Sequence, residues 1–186
     1  MKLILASNSP RRKELLSLAK FQFEVITQDV EESLDKRLPV AKQIEQIAYK
    51  KANAIAINNV DDVVIGADTV VVVDGEILGK PKDEQDALRM IKVLSGKTHQ
   101  VITAVAIICQ NEVTLFHEKT DVTFYEMTEE DINQYVKLPS IYDKAGAYAI
   151  QGEAALYIKA INGDYYNVMG LPIAKVTKVL KERFNF

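Results

Sequence analysis

Apolar residues occur in short runs near the N-terminus, and these runs predict alternating strands and helices. Leu3–Ala6 is an apolar run of strand length, and after a turn at Ser7–Pro10 a helix is predicted over Arg11–Lys20. A strand at Glu24–Thr27 and a polar, acidic loop at Gln28–Pro39 follow. This order is typical of the start of an α/β fold.

The middle of the chain combines a long amphipathic helix with buried strands. Apolar residues recur at helical spacing over Val40–Ile57, and Val63–Ala67 is a continuous run typical of a strand covered on both faces. Val70–Val73 and Glu76–Leu78 flank Asp74-Gly75, a dipeptide that favours a type I′ hairpin.

The remaining pattern predicts a long hairpin and three more helices. The segments are a helix at Glu84–Leu94 ended by Gly96, strands at Thr98–Cys109 and Val113–Tyr125 joined around Gln110–Glu112, a helix at Thr128–Val136 with a Thr128/Asp131 capping box, a strand at Ala154–Ile161, a turn at Asn162–Asp164 and a helix at Leu171–Arg183. Together they predict an α/β fold: a mixed, twisted sheet with a long antiparallel hairpin and flanking helices, arranged as two lobes around a cleft.

Composition and charge exclude several classes of protein. The 186 residues include 26 acidic and 23 basic side chains, and the net charge of −3 argues against a protein held on nucleic acid by phosphate neutralisation. Cys109 is the only cysteine, so neither an internal disulfide nor a cysteine-based zinc site is available. The apolar runs are too short to span a membrane, and the first six residues are too short for a signal-peptide core. We expect a single cytoplasmic domain over residues 1–186 with no membrane association.

The segment Ser7-Asn8-Ser9-Pro10-Arg11-Arg12 has an unusual charge for a helix start. Ser9 suits the N-cap and Pro10 the first helical position, but two arginines follow where acidic residues would complement the helix dipole. Hydroxyls, backbone N–H groups and guanidiniums converging there would suit a polyanion such as phosphate. The alternative is that the arginines face solvent or pair with acids.

Lys51 falls within the apolar stripe of its predicted helix, four residues after Ile47 and four before Ile55. A lysine at such a position either extends past the edge of the core or projects into a pocket that holds an anion.

Asp68 places a carboxylate in the apolar run Val63–Val73, which is costly unless a cation, a metal or hydrogen-bond donors compensate it. One interpretation is a carboxylate bonded to turn amides between two strands. The other is a general base or metal ligand at the end of a strand, with Glu31-Glu32 of the acidic loop supplying a second carboxylate.

Read in order, these segments resemble the Maf family over residues 3 to about 175. The matching blocks are Ser7-Asn8-Ser9-Pro10-Arg11-Arg12, Glu31-Glu32, Lys51-Ala52, Gly66-Ala67-Asp68-Thr69, Gly79-Lys80-Pro81, Leu94-Ser95-Gly96, His99, Thr103, Lys144-Ala145-Gly146-Ala147-Tyr148, Gln151-Gly152 and Gly170-Leu171-Pro172. The resemblance implies a fold related to the inosine triphosphate pyrophosphatases. It also implies hydrolysis of a nucleoside triphosphate to the monophosphate and pyrophosphate with a divalent cation, Mg²⁺ or Mn²⁺, and favours a homodimer.

The resemblance also implies roles for individual residues. Asp68 matches the family's catalytic base, and Glu32 with Asp68 would hold the metal. The positions implied to bind phosphate are Ser7, Arg11, Arg12, Lys51 and Lys80. Arg12, Thr69 and Gln151 match positions that mark the dTTP/UTP branch of the family.

Two other functions remain open from the sequence. One is a non-catalytic nucleotide-binding regulator of septum formation or cell division, and the other is a purine-directed pyrophosphatase of the 7-methyl-GTP type. Carboxylates beside a polyanion site argue against binding alone.

Overall fold

The computed structural model describes residues 1–33, 35–110, 112–184 and 186, and these form a mixed α/β fold. The strands are β1 (Leu3–Leu5), β2 (Glu24–Val25), β3 (Val63–Val73), β4 (Glu76–Leu78), β5 (Thr98–Cys109), β6 (Glu112–Phe124) and β7 (Ile158–Asn162). The helices are α1 (Pro10–Leu18), α2 (Val40–Ala56), α3 (Glu84–Leu94), α4 (Glu129–Tyr135), α5 (Tyr165–Met169) and α6 (Ile173–Phe184).

The strands form one sheet in the order β2-β1-β3-β5-β6-β7, with β4 paired to β3. Strand β1 runs parallel to β2 and β3, whereas β4 is antiparallel to β3 and β7 is antiparallel to β6. Thr98 at the start of β5 bonds Thr123 near the end of β6, as expected for an antiparallel hairpin. The predicted mixed sheet with flanking helices is confirmed.

The chain divides into two compact units, and the first comprises Met1–Asp68, Thr103–Glu118 and Gly170–Phe186. Its core contains β1 and the first half of β3, which are fully buried. Helix α2 covers them with its apolar stripe, in which Ile44, Ala48 and Ala52 are fully buried.

Helix α2 packs very closely on β3 at Gly66. A Cβ atom on Gly66 would lie 2.5 Å from the carbonyl oxygen of Ala48 and 2.6 Å from the backbone nitrogen of Ala52. Only glycine permits this approach. Because alternate residues of a strand share a face, Asp68 lies on the same face of β3 as Gly66, next to the turn of α2 that carries Lys51.

The second unit comprises Thr69–Ile102 and Lys119–Met169 and has its own core. Its buried residues include Val71, Leu78, Ile91, Leu94, Val122, Phe124, Tyr135 and Tyr148. The predicted type I′ turn is confirmed, since both Asp74 and Gly75 have positive φ, 49° and 81°. The Thr128/Asp131 capping box is also present.

The strand around Asp68 differs from the prediction. Val63–Ala67 and Val70–Val73 belong to a single strand of 11 residues, so Asp68 lies in its interior rather than at its end or in a turn. The backbone remains extended at Asp68, and Lys51 of α2 bonds the Asp68 carboxylate. The strand was expected to stop at Asp68 because burying an unpaired carboxylate is costly, and pairing with a lysine reduces that cost.

Two further segments were predicted incorrectly. The first half of the predicted strand Ala154–Ile161 is a 3₁₀ turn at Glu153–Leu156, with Leu156 78% exposed, and β7 starts only at Ile158. Helix α5 was not predicted, and Asp164 caps it by accepting from the backbone N–H of Tyr166 at 2.8 Å.

The other predicted elements agree with the structure to within about two residues at each end. Two predicted positions, residue 34 of the acidic loop and residue 111 of the β5–β6 connection, lie outside the described residues. Within the described part of the chain, none of the helices has both the length and the apolar character that crossing a membrane requires.

Candidate active site

Three charged side chains of the first unit meet at one point, which we call the carboxylate–lysine cluster. Lys51 Nζ lies 2.8 Å from Glu32 Oε1 and 2.7 Å from Asp68 Oδ1. The Lys51 and Asp68 side chains are mostly buried, whereas Glu32 is 57% exposed. The two residues that break the apolar pattern therefore compensate each other, and the alternative of Asp68 bonded to turn amides is wrong.

Helix α2 also holds the acidic loop that carries Glu32. Gln43 Nε2 donates to the carbonyl oxygen of Leu38 at 2.7 Å, and Lys50 Nζ donates to the carbonyl oxygen of Glu31 at 3.4 Å. Because α2 supplies Lys51 as well, one helix positions the loop and the lysine of the cluster.

Ser7 and Arg12 form a second group in the same unit. Arg12 Nη1 donates to Ser7 Oγ at 3.1 Å, and Nε donates to the carbonyl oxygen of Gly170 at 2.8 Å. Both side chains are buried. Ser9 stands at the N-cap of α1 as predicted, but its hydroxyl makes no capping bond, and its N–H donates to Ser7 Oγ instead. The backbone N–H and the guanidinium thus converge on Ser7 rather than on Ser9.

The charge of Arg12 is coupled to the carboxylate–lysine cluster. Burial lowers the pKa of the Arg12 guanidinium, and the Asp68 carboxylate is the strongest influence that raises it again. The positive charge of Arg11 lowers this pKa further, and the negative charge of Glu32 raises it. A guanidinium remains protonated in proteins, so the first unit holds a buried cation beside Arg11. An anion placed there would gain from both charges.

In the second unit, the segment 144–152 is fixed against the backbone that precedes Lys80. The N–H of Gly146 donates to the carbonyl oxygen of Gly79 at 2.9 Å. Gly146 has φ of +68°, and a Cβ there would lie 2.9 Å from Val71 Cγ2, so both its conformation and its packing need glycine. Lys80 is exposed directly after the Gly79 anchor.

Gln151 lies near the end of this segment, in a tight turn. The N–H of Gly152 donates to the carbonyl oxygen of Ala149 at 3.0 Å, and the Gln151 side chain within the turn is exposed. Thr69, partly buried on β3, directly follows Asp68 in sequence.

A buried histidine anchors the same segment through Tyr148. His99 Nε2 lies 2.8 Å from Tyr148 Oη, and both rings pack edge-to-face with Phe124. His99 Nδ1 is buried with no hydrogen-bond partner among the described residues. Burial lowers the pKa of His99 to about 4, so this imidazole is neutral at pH 7.

Two buried polar residues of α2, Gln43 and Glu45, were not predicted. Gln43 and Glu45 are buried on the helix, and Glu45 bonds both Lys42 and His117 at 2.7 Å. The sequence does contain a sign of them, because Gln43 and Glu45 flank Ile44 of the apolar stripe. Burial alone would raise the pKa of Glu45, but the hydrogen bonds from Lys42 and His117 hold it below its usual range.

Comparison with known proteins identifies the family to which this chain belongs. The family model described as "Maf-like protein" matches residues 2–183. The chain belongs to the Maf family. It is 49% identical over 97% of its length to a Bacillus cereus protein named "dTTP/UTP pyrophosphatase", with 95% of that protein covered. A protein of the same name from Bacillus thuringiensis is 49% identical with the same coverage.

A solved structure supports the fold of this Maf family chain. The Staphylococcus aureus Ham1 protein matches 96% of this chain and 99% of its own, with a TM-score of 0.55 and 15% identity. At that identity the likeness concerns the fold alone.

The carboxylate–lysine cluster of this Maf family chain contains two carboxylates, a type of ligand that hard divalent cations bind. Glu32 and Asp68 direct oxygen atoms at one point, at 2.8 Å and 2.7 Å from the same Nζ. Among the described residues, no group of three or more metal-ligating side chains occurs. Mg²⁺ commonly binds through one or two carboxylates, water and substrate phosphates, so these two residues fit such an ion.

Proposed function

We propose that this chain hydrolyses dTTP and UTP to the nucleoside monophosphate and pyrophosphate. The relatives that carry this name are 49% identical over 97% of the chain, which supports the substrate. The observation that carries the chemistry is the carboxylate–lysine cluster beside the buried Arg12.

Asp68 is proposed to act as the general base. It accepts a proton from water, the water oxygen forms a bond to the α-phosphorus, and the bond from that phosphorus to the bridging oxygen breaks, so that pyrophosphate leaves with the electron pair. An ionised carboxylate has several lone pairs on two oxygens, so the bond from Lys51 to Oδ1 leaves proton-accepting capacity.

The cations are proposed to bind the triphosphate and stabilise the charge that develops on its oxygens. The proposed phosphate-binding residues are Ser7, Arg11, Arg12, Lys51 and Lys80. Ser7 Oγ accepts bonds from Arg12 and from the N–H of Ser9, which leaves its own proton available for a phosphate oxygen.

Glu32 and Asp68 are proposed to hold a divalent cation, Mg²⁺ or Mn²⁺. When bound, such an ion neutralises phosphate charge and orients the reacting groups. The convergence of the two carboxylates on one point supports this assignment.

Arg12, Thr69 and Gln151 are proposed to determine the choice of base. The Gln151 amide offers a donor and an acceptor, which matches the edge of uracil or thymine. Arg12 holds the backbone of Gly170, so its contribution would include positioning that segment.

The remaining features belong to the same proposal. They are a single nucleotide pyrophosphatase domain over residues 1–186, a cytoplasmic location, no stable nucleic-acid binding and a homodimer. The family match over residues 2–183 supports the first, and the net charge of −3 supports the absence of nucleic-acid binding.

A nucleotide panel tests the proposal. We expect kcat/KM for dTTP and UTP to exceed that for CTP, ATP, GTP and 7-methyl-GTP, with dTTP and UTP differing little because the site must accept the thymine methyl. A preference for purines, or binding of nucleotides without turnover, would contradict it.

A further inference from the structure

The ammonium of Lys51 lies where the two proposed metal-binding carboxylates converge. Its Nζ atom contacts one oxygen of Glu32 and one oxygen of Asp68, both within 2.8 Å. With 18% of the lysine side chain and 13% of the aspartate side chain exposed, solvent screens the Lys51–Asp68 contact only weakly, whereas the Glu32 side chain is 57% exposed.

Lys51 is the cation that contacts both carboxylates of the cluster directly. Two carboxylates that share a site repel each other, and a cation between them removes that repulsion. A divalent ion bound to the same oxygens would face the ammonium at short range, and like charges at such a distance are unfavourable. Lys51 and the metal therefore compete for Glu32 and Asp68.

The protein alone also offers few ligands to the metal. Within the described chain there is no third acidic, histidine or cysteine side chain grouped with Glu32 and Asp68 as a metal site. A hard divalent cation needs six or more oxygens, which waters and phosphates must complete. A triphosphate supplies oxygens for the metal and negative charge for the lysine at once.

We propose that Lys51 is an electrostatic placeholder that keeps the nucleotide-free site from loading metal, so that metal and triphosphate enter together. This inference rests on the proposed function. Lys51 exchanges its carboxylate partners for the phosphates, and the carboxylates are released for the ion. Metal and nucleotide are then positively coupled, each raising the affinity for the other.

Binding of Mn²⁺ to the full chain in the absence of nucleotide, measured by electron paramagnetic resonance of the free ion, tests the proposal. We expect Lys51→Met to bind Mn²⁺ at least about tenfold tighter than the unmodified protein, within the usual range of coupling between sites. Lys178→Met is the control, because Lys178 is an exposed lysine of α6 that lies 3.9 Å from Glu182, so the substitution removes the same charge without touching the cluster or its loop. We expect it to bind Mn²⁺ like the unmodified protein.

The double variant Lys51→Met/Glu32→Gln should lose the gain, because it removes a carboxylate that the lysine covered. If Lys51→Met fails to fold, as judged by circular dichroism, Lys51→Gln replaces it. Equal or weaker Mn²⁺ binding by the folded Lys51 variant would overturn the proposal, and so would a gain that survives Glu32→Gln. Because no nucleotide is present, this result is separate from dTTP hydrolysis by the unmodified protein, whose absence would refute the proposed function instead.

Discussion

Adding a single methyl group at Gly66 tests how the helix–strand packing positions the candidate site. A Cβ at Gly66 would lie 2.5 Å from the Ala48 carbonyl oxygen, 2.6 Å from the Ala52 nitrogen and 2.9 Å from the Ala52 Cβ. The first two are backbone atoms of α2, so no side-chain rotation relieves the contact. The helix must move away from β3, by about 0.9 Å to restore a contact of about 3.4 Å at the carbonyl oxygen.

Two opposing terms determine the free energy of unfolding. Overpacking of a tight core costs about 1–3 kcal/mol, whereas replacing glycine by alanine restricts the unfolded chain and returns about 0.4–1 kcal/mol. We expect Gly66→Ala to destabilise the protein by about 1–2 kcal/mol. For a domain of this size that lowers the melting temperature by roughly 2–8 °C.

The same displacement should reduce turnover. Lys51 is adjacent to Ala52 on the displaced turn, and its Nζ–Asp68 distance of 2.7 Å depends on the helix position. A misplacement of about 1 Å can cost up to about 10²-fold in rate.

Urea unfolding followed by circular dichroism, together with dTTP hydrolysis, measures both effects. Gly79→Ala is the control for stability, because a Cβ there meets no atom within 4 Å among the described residues. We expect that control to be as stable as the unmodified protein or slightly more stable. If Gly66→Ala unfolds at the same urea concentration as the unmodified protein and turns over dTTP at the same rate, the close packing of α2 does not position the site.

Three further variants test individual residues. Asp68→Asn should retain the fold, because Lys51 keeps Glu32 at 2.8 Å, but lose about 10²–10⁴-fold in kcat; unchanged kcat in a folded variant would remove Asp68 as the base. Gln151→Ala should lower the kcat/KM ratio of dTTP to CTP by about 5–150-fold, since an unpaired polar group costs about 1–3 kcal/mol, and an unchanged ratio would contradict base reading by Gln151. Because the pKa of His99 is about 4 when folded and 6.5 in the unfolded chain, neutral His99 favours the fold above pH 6.5, and this contribution is lost as the pH falls towards 4. Between pH 7.5 and pH 5, the free energy of unfolding, measured with urea, should fall by about 2 kcal/mol less in His99→Gln than in the unmodified protein. Equal falls in both proteins would refute a lowered pKa of His99.

The regular elements were predictable because their signals are local. Helices α2 and α3 follow from the 3.6-residue periodicity of their apolar residues. The hairpin follows from Asp74-Gly75, because Asp-Gly is one of the few dipeptides that accept a positive φ at both residues. Capping of α4 was equally legible, because Thr128 and Asp131 are three residues apart.

The error at Asp68 arose because the partner of its carboxylate lies on another element. Asp68 is separated from Lys51 by 17 positions, so a charge in an apolar run was taken to interrupt β3, although its partner makes the strand continuous. The run Ala154–Ile161 is apolar enough for a strand, but its first part forms a 3₁₀ turn before β7 begins.

The candidate site was predictable as a set of anomalies rather than as a geometry. A misplaced lysine, a misplaced aspartate and a basic helix start were each visible in the sequence, but not that Lys51 joins Glu32 to Asp68 or that Arg12 bonds Ser7 and Gly170. The support in the second unit, such as His99 on Tyr148, depends on tertiary contacts that no local pattern carries.

Hydrolysis of dTTP in ¹⁸O-labelled water with Mg²⁺ tests the central claim most directly, with products followed by ³¹P nuclear magnetic resonance and mass spectrometry. The proposed attack of water on the α-phosphorus predicts dTMP carrying one ¹⁸O atom and unlabelled pyrophosphate. Labelled pyrophosphate, or dTDP with orthophosphate as the first products, would contradict it.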